Sequence, residues 1–554
     1  MPVPGLVRSL VKLAPHGLRS LLKLAPLTTL AWLGSPGCGG QAAPGAAPAD
    51  DDLEAVEESK ADNYRGTNAR EFLATATASV TLDAAFSGKP ESERRAAAEE
   101  LVSARLLQIG WFLNLWVLDK EPEDSNKDYG GFHAMARTNS VKSLEVKPKS
   151  ELEWSFNFEA TLAAQNDLLR VMPGATEGGK KRATLKLAKL DNASLLAAGW
   201  KGYDVHSWNG DKEDAASVEA LPIVVEAAPR SSNAFLNYAA LMADGKLTVG
   251  AQFGWDYNEG RADLANARQL YDDLLGLGFQ SPVTKYEDLK LGSGPLKRTA
   301  RYGEKTVTVE VTLIHPGMIA DPAANAKQLR DALLDLLATR EVILFNGHAG
   351  TSGRLLPGDF HASSAGNILP TEYATLALPA SYQLLLIEGC QTYARFTDGF
   401  RANPSKRGPH GELKNMDIVT STSYTWTSQG AESMEAILFP LVGKDARKAL
   451  SPATWDDVLR TMNAPPSTTA FMGVNGIDDD PHGHPYGNAA RQGRSCSSAA
   501  QCGGEGNVCL RPRAGAAKVC APQCIDDAGC SGGSRCAPVS SSTRTEPLGA
   551  CVAR

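Results

Sequence analysis

Two short segments of this sequence carry the residue types of nucleophilic catalysis. Glu341 to Phe345 (EVILF) runs into Asn346-Gly347-His348-Ala349-Gly350, and Tyr382 to Ile387 (YQLLLI) runs into Glu388-Gly389-Cys390-Gln391-Thr392. A thiol needs a neighbouring base, first to become a thiolate and then to protonate a leaving amine, and an imidazole does both. If the two apolar runs are adjacent parallel strands, His348 and Cys390 emerge side by side at one sheet edge. The glycines permit tight turns, and the backbone N–H groups of Cys390 and of Ala349 or Gly350 are candidate oxyanion donors.

The cysteine count singles out Cys390. Of ten cysteines, eight lie in the last sixty residues: Cys496, Cys502, Cys509, Cys520, Cys524, Cys530, Cys536 and Cys551. Their spacing forms two four-cysteine modules, each expected to hold two disulfides in place of an apolar core. Zinc is the lesser alternative, because close C-x2-C pairs and nearby histidines are absent. Cys38 belongs to the N-terminal leader, which leaves Cys390 as a lone thiol. It is either a buried small hydrophobe or a nucleophile.

The surrounding pattern is of alternating strands and helices. Leu247 to Phe253 is an apolar run. Arg261 to Gly278 reads as a helix, with Leu264, Ala267, Tyr271, Leu274 and Leu275 on one face. Thr306 to Ile314 (TVTVEVTLI) is a strand, and Asp321 with Pro322 is expected to start the next helix. A strand over Asp417 to Thr422 precedes a helix from about Gln429 to Leu438. Such alternation predicts a parallel sheet covered on both faces, with ligands bound beyond the C-terminal strand ends.

The order strand, helix, strand, helix, strand-His, strand-Cys over about Lys246 to Val442 resembles the caspase-like superfamily of cysteine peptidases, clan CD. His348 precedes Cys390 by 42 residues, near the spacing of about 50 found in caspases. Ala349 stands where the family usually has Gly, and Gly389 where it often has Ala. The resemblance implies an endopeptidase with Cys390 as nucleophile, His348 as base, and Ala349, Gly350 and Cys390 as oxyanion donors. It also implies that Glu388 lines the pocket for the side chain before the scissile bond and favours Arg or Lys there; a carboxylate satisfied by local backbone is the equal alternative. By the same resemblance the loop with Ser423, Tyr424 and Trp426 would wall that pocket; ordinary loop packing of Tyr424 and Trp426 is the equal alternative. Arg401 to Asn415 falls where caspases carry a cleavable linker, so self-processing near Arg401, Lys406 or Arg407 is expected.

At the N-terminus, Arg8, Lys12, Arg19 and Lys23 precede the apolar stretch Leu24 to Leu33, which is too short to span a bilayer, and then the small residues before Cys38. This is the order of a secretory signal. Two outcomes are open: lipidation at Cys38, or simple secretion. Leu152, Trp154, Phe156 and Phe158 alternate with polar residues as a half-buried strand, and Glu91 to Gln108 is helical in pattern. An α+β domain without evident chemistry is expected there. His133, His206, His315 and His361 read as structural. Asp478 to His484 reads as a solvated loop rather than a calcium or zinc site.

The expected map is a signal over 1–38, a flexible linker over 39–61, the α+β domain over 62–229, a caspase-like α/β domain with a mostly parallel sheet over 230–475, an acidic linker over 476–494, and a disulfide-rich tail over 495–554. A net charge of -7 without a basic cluster argues against nucleic acid. No cofactor or metal is implied. The expected partners are a protein or peptide substrate, and a membrane only through a lipid anchor at Cys38. The alternative to a peptidase is a non-catalytic surface lipoprotein, with the sheet as scaffold and the tail modules for adhesion.

Overall fold

The computed structural model describes residues 63–553, except 120–133, 350–353, 444–451, 465–469, 486–491, 503–506, 525–529, 539–548 and scattered single or paired positions. The leader with Cys38, together with His133, His206 and Gly350, lies outside the described residues.

An N-terminal lobe is built from β1 (Arg65–Gly66), β2 (Ala69–Thr81), α1 (Glu91–Asp119), β3 (Ala134–Ala136), β4 (Lys142–Pro148), β5 (Glu153–Gln165), β6 (Ala175–Glu177), β7 (Lys180–Ala188) and β8 (Val218–Ala227). Short helices α2 (Leu168–Val171), α3 (Asn192–Leu196) and α4 (Tyr238–Leu241) fill connections. β2 and β5 pair antiparallel along their whole length, from Ala69↔Gln165 to Thr81↔Glu153. Period-two alternation puts Trp154, Phe156 and Phe158 on the inner face, against Ile109, Phe112 and Leu113 of α1.

The following chain supplies β9 (Lys246–Phe253), α5 (Ala262–Gly276), β10 (Leu296–Tyr302), β11 (Lys305–Ile314), α6 (Ala326–Thr339), β12 (Val342–Asn346), β13 (His348–Ala349), β14 (Leu355–Leu356), α7 (Pro370–Thr375), β15 (Gln383–Glu388), α8 (Phe396–Ala402), β16 (Met416–Ser421), α9 (Gly430–Val442), α10 (Trp455–Met462) and β17 (Met472–Asn475). The strands β11-β9-β12-β15-β16 lie side by side and are mutually parallel. Alternate residues of the apolar strands face opposite layers. Val342, Leu344, Leu384 and Leu386 pack with α5, α9 and α10, while Ile343, Phe345, Leu385 and Ile387 pack with α6, α7 and α8. Both faces are therefore apolar, as a covered parallel sheet requires.

Three expectations need correction. The sheet is mixed rather than mostly parallel: β10 and β17 pair antiparallel at either end of the parallel set, and the whole sheet has fifteen strands. Nor does hydrogen bonding stop at the N-terminal lobe. β17 pairs with β1, Arg65↔Val474, and β1 with β2, so one sheet runs through two cores. A buried two-pronged ion pair, Arg65 Nε and Nη2 to the Asp456 carboxylate at 2.8 Å each, fastens the same junction. The third correction is α6, which starts at Ala326 and not at Pro322. Asp321 has a left-handed φ of 46° and accepts from the N–H of Ala324, so it closes a turn before the helix.

Residues 401–415 are not an open linker. Arg401 and Lys406 are buried, and Lys406 Nζ donates to the carbonyl of Ser381 at 2.7 Å. A peptidase would have to unfold this segment to cut after either residue, although Arg407 is exposed. In the acidic loop, Asp478, Asp479 and His482 are half-exposed and held by hydrogen bonds. Asp478 accepts from Ser231, Asp479 accepts from the Asn415 N–H at 2.9 Å, and the His482 carbonyl accepts from the Phe235 N–H.

The tail forms a four-stranded sheet, β18 (Asn507–Leu510), β19 (Val519–Cys524), β20 (Ser534–Pro538) and β21 (Gly549–Ala553). Disulfides join Cys496–Cys509, Cys502–Cys520 and Cys530–Cys551, all within the two expected modules. Cys536 is also disulfide-bonded. Among the described residues no helix is long and apolar enough to cross a membrane.

Candidate functional site

Strand register brings three loops together. β9, β12 and β15 are neighbours, with Phe253 opposite Asn346 and Asn346 opposite Glu388. His348 and Cys390 each lie two residues past that level, and Asp256 lies three past it. The ladder continues beyond the strands. The Gly254 N–H donates to the Asn346 carbonyl at 2.7 Å, Gly347 N–H to Glu388 at 3.0 Å, and Gln391 N–H to Ser423 at 2.9 Å. Such close approach explains Gly389: a Cβ there would sit 2.8 Å from the Ala349 Cβ and 2.9 Å from the Gly347 carbonyl oxygen.

His348 is buried, and its Nε2 stands 3.8 Å from Asp256 Oδ1. Tyr257 stacks on the imidazole with centroids 4.5 Å apart and planes 18° off parallel, and the edge of His361 meets Tyr257 at 5.1 Å. Asp256 is held by its own loop. Its Oδ1 accepts from the Asn258 backbone and side chain, and its Oδ2 accepts from the N–H of Ala262, the first residue of α5. Burial pushes this carboxyl up, but the His348 imidazole and these N–H donors outweigh it, so it stays below the ordinary carboxylate value. Asp256 is thus anionic and aimed at His348. The sequence signal for it was present. Leu247 to Phe253 is followed by Gly254, then Trp255 and Asp256, so a glycine just past an apolar run precedes Asp256 as it precedes His348 and Cys390.

The turn that carries Cys390 is clamped on both sides. Ser421 Oγ donates to the Gly389 carbonyl. Thr392 Oγ1 donates to the Ile387 carbonyl and accepts from the Ser421 N–H, both at 2.9 Å. Gln391 takes a left-handed φ of 57°, uncommon for a side chain other than Gly, Asn or Asp. Cys390 itself is buried and is not a lone thiol: its sulfur is disulfide-bonded. A half-cystine has no thiolate, so in this state the sulfur is not a nucleophile.

The other expected site residues are arranged as follows. Ala349 lies in β13 and pairs with Leu355 of β14. Ser423 is fully buried and meets the thiol turn through its carbonyl, while Tyr424 and Trp426 are partly exposed. Glu388 points away from solvent, beneath α9. Ser433 Oγ donates to its Oε1 at 2.8 Å, and burial raises its pKa to about 8. α9 can lie this close because it begins with glycine: a Cβ on Gly430 would be 2.3 Å from the Asn346 side chain. Glu388 is therefore largely protonated at neutral pH, not an open anionic pocket floor.

His315 stacks on Tyr286 at 5.3 Å and accepts from the Gly317 N–H; burial lowers its pKa to about 4. Among the described residues, metal-ligating atoms gather only at Cys496, Cys502 and Cys509, whose sulfurs are taken up in disulfides.

A carboxylate, an imidazole and a sulfur on successive strand ends have the makings of a proton-transfer chain once the sulfur is reduced. Comparison with models of known families, with curated proteins and with solved structures finds no match for this chain.

Proposed function

We propose that the chain is an exported cysteine endopeptidase, latent while Cys390 is disulfide-bonded and active after a thiol reductant frees it. Two reductant thiols are oxidised to a disulfide, releasing Cys390 and its partner as thiols. His348 then takes the Cys390 proton, with the imidazolium stabilised by Asp256. The thiolate attacks the scissile carbonyl, and the imidazolium protonates the leaving amine as the C–N bond breaks. Water, deprotonated by His348, hydrolyses the thioester and regenerates the thiol.

The observation that supports this reading is the common level at which β9, β12 and β15 deliver Asp256, His348 and Cys390. A protein or peptide is the substrate. A preference for Arg or Lys is not part of the proposal, because Glu388 is buried, hydrogen-bonded to Ser433 and largely neutral. The disulfide-rich tail is compatible with an extracellular setting, and lipidation at Cys38 would supply the anchor.

The disulfide at Cys390 favours a second reading, in which this cysteine is structural and the protein is a binding scaffold. A peptidyl acyloxymethyl ketone probe, applied to the full chain with and without dithiothreitol, separates the two. The peptidase reading expects labelling only after reduction, and none in Cys390→Ala or His348→Ala. Reduced, folded protein that stays unlabelled by a panel of probes with acidic, basic and apolar side chains leaves only the scaffold.

A further inference from the structure

The segment after Cys390 is held from the N-terminal lobe. Tyr393, three residues past the sulfur, donates from its hydroxyl to Glu71 Oε1 of β2 at 2.5 Å. Arg137, just after β3, has its Nε 3.3 Å from Asp398 Oδ1 of α8 and its Nη1 3.9 Å from Glu71 Oε1. Arg401 Nη1 adds a contact to Asp398 at 3.8 Å. All five side chains are buried. Around them Tyr64, Ala69, Ala163, Tyr393 and Phe471 form a small apolar cluster, with the Tyr64 and Tyr393 rings edge to face at 5.0 Å.

Two buried carboxylates and two guanidiniums balance in charge, but such a network is a weak source of stability. Well-packed apolar residues in its place are often neutral or better, because desolvation offsets most of the attraction. What ionic groups supply that apolar ones do not is direction. Here Glu71 and Arg137, linked to each other within the lobe, reach out to Tyr393 and Asp398, just after the turn that carries Cys390. Gly389 and Thr392 are already pinned to β16 and β15. Tyr393 closes the far side, leaving Cys390 between two fixed points.

We infer that the N-terminal lobe is a working part of the site: Glu71 and Arg137 are positioning residues that, through Tyr393 and Asp398, set the Cys390 sulfur against His348. This rests on the peptidase reading of Cys390 and His348. It gives the lobe, in which the sequence shows no chemistry of its own, a role in aligning the reacting pair.

The test uses the full chain, reduced with dithiothreitol, exchanged into buffer and alkylated with iodoacetamide from pH 5 to 10. Modification of Cys390 itself is followed by peptide mass spectrometry. Tyr393→Phe keeps the ring on Tyr64 and removes only the hydroxyl, and Glu71→Gln removes the charge. Each is expected to raise the pH midpoint of Cys390 alkylation, since a sulfur displaced from the imidazole loses its partner. Each should also slow reaction with a peptidyl ketone probe by about 10- to 100-fold, the scale on which a small misplacement acts. Ile223→Val, in the core of the same lobe, should lower stability and leave the midpoint unchanged. Wild-type midpoints in both Tyr393→Phe and Glu71→Gln would overturn the inference. Should Glu71→Gln fail to fold, Tyr393→Phe carries the test. Failure of the peptidase reading shows separately, as wild-type protein that iodoacetamide modifies at Cys390 but no peptidyl probe labels.

Discussion

Replacing Glu388 by Gln measures directly whether this carboxyl is a buried neutral group or a charged pocket floor. Its ordinary value of 4.5 is raised to about 8 by burial. Between those values the folded protein keeps a proton that the unfolded chain has released. The native state then binds more protons, so stability falls as pH rises through this window and levels off above it. At 1.36 kcal/mol per pKa unit the full penalty is roughly 4–5 kcal/mol, an upper bound because water entry and local relaxation reduce it. The glutamine side chain has nearly the same shape, keeps an oxygen to accept from Ser433, and never ionises. The Glu388→Gln variant should match the parent near pH 5 and exceed it by roughly 2–4 kcal/mol at pH 9. Urea unfolding without reductant, followed by tryptophan fluorescence at pH 5, 7 and 9, gives the comparison. Other titrating groups act equally in both proteins and cancel in the difference. Parallel stability curves would refute the reasoning and return Glu388 to the role of a solvated, ionised pocket residue.

Three further outcomes are expected. Asp256→Asn leaves His348 without its anion and should slow peptide hydrolysis by the reduced enzyme between about 10- and 10⁴-fold; kcat/KM equal to wild type would remove Asp256 from the mechanism. His315 has a folded value of about 4 against an ordinary 6.5, so the unfolded chain takes up a proton first as pH falls. Stability is then lost from about pH 6.5 down to 4, and His315→Gln should flatten that limb in thermal scans at pH 4.5 and 7. Gly430→Ala drives a methyl to 2.3 Å from the Asn346 side chain and should cost about 1–3 kcal/mol in chemical denaturation. Adding Asn346→Ala should restore part of the loss; no recovery would place the strain elsewhere.

What the residues alone determine here is local or covalent. Continuous apolar runs mark β12 and β15 because a strand buried on both faces has no polar side to show, and a largely apolar run marks β9. Period two marks β5 because one of its faces meets the core and the other does not. The tail modules follow from spacing, since cysteines a few residues apart have few partners within reach. His348 and Cys390 stand out because each sits just past such a run. Strand order is different: it depends on contacts between segments nearly a hundred residues apart, and only the folded chain puts Asp256 on the strand beside His348. Burial likewise depends on what covers a residue. Glu388 reads as a pocket acid until α9, allowed in by Gly430, closes over it, and residues 401–415 read as a linker until Arg401 and Lys406 find buried partners. The hydrogen bonds of a two-residue strand, β1, decide that the N-terminal lobe continues the sheet, and no composition or periodicity in two residues announces that. The state of the Cys390 sulfur belongs with these. Counting cysteines treats it as a lone thiol, whereas in the folded chain it is disulfide-bonded.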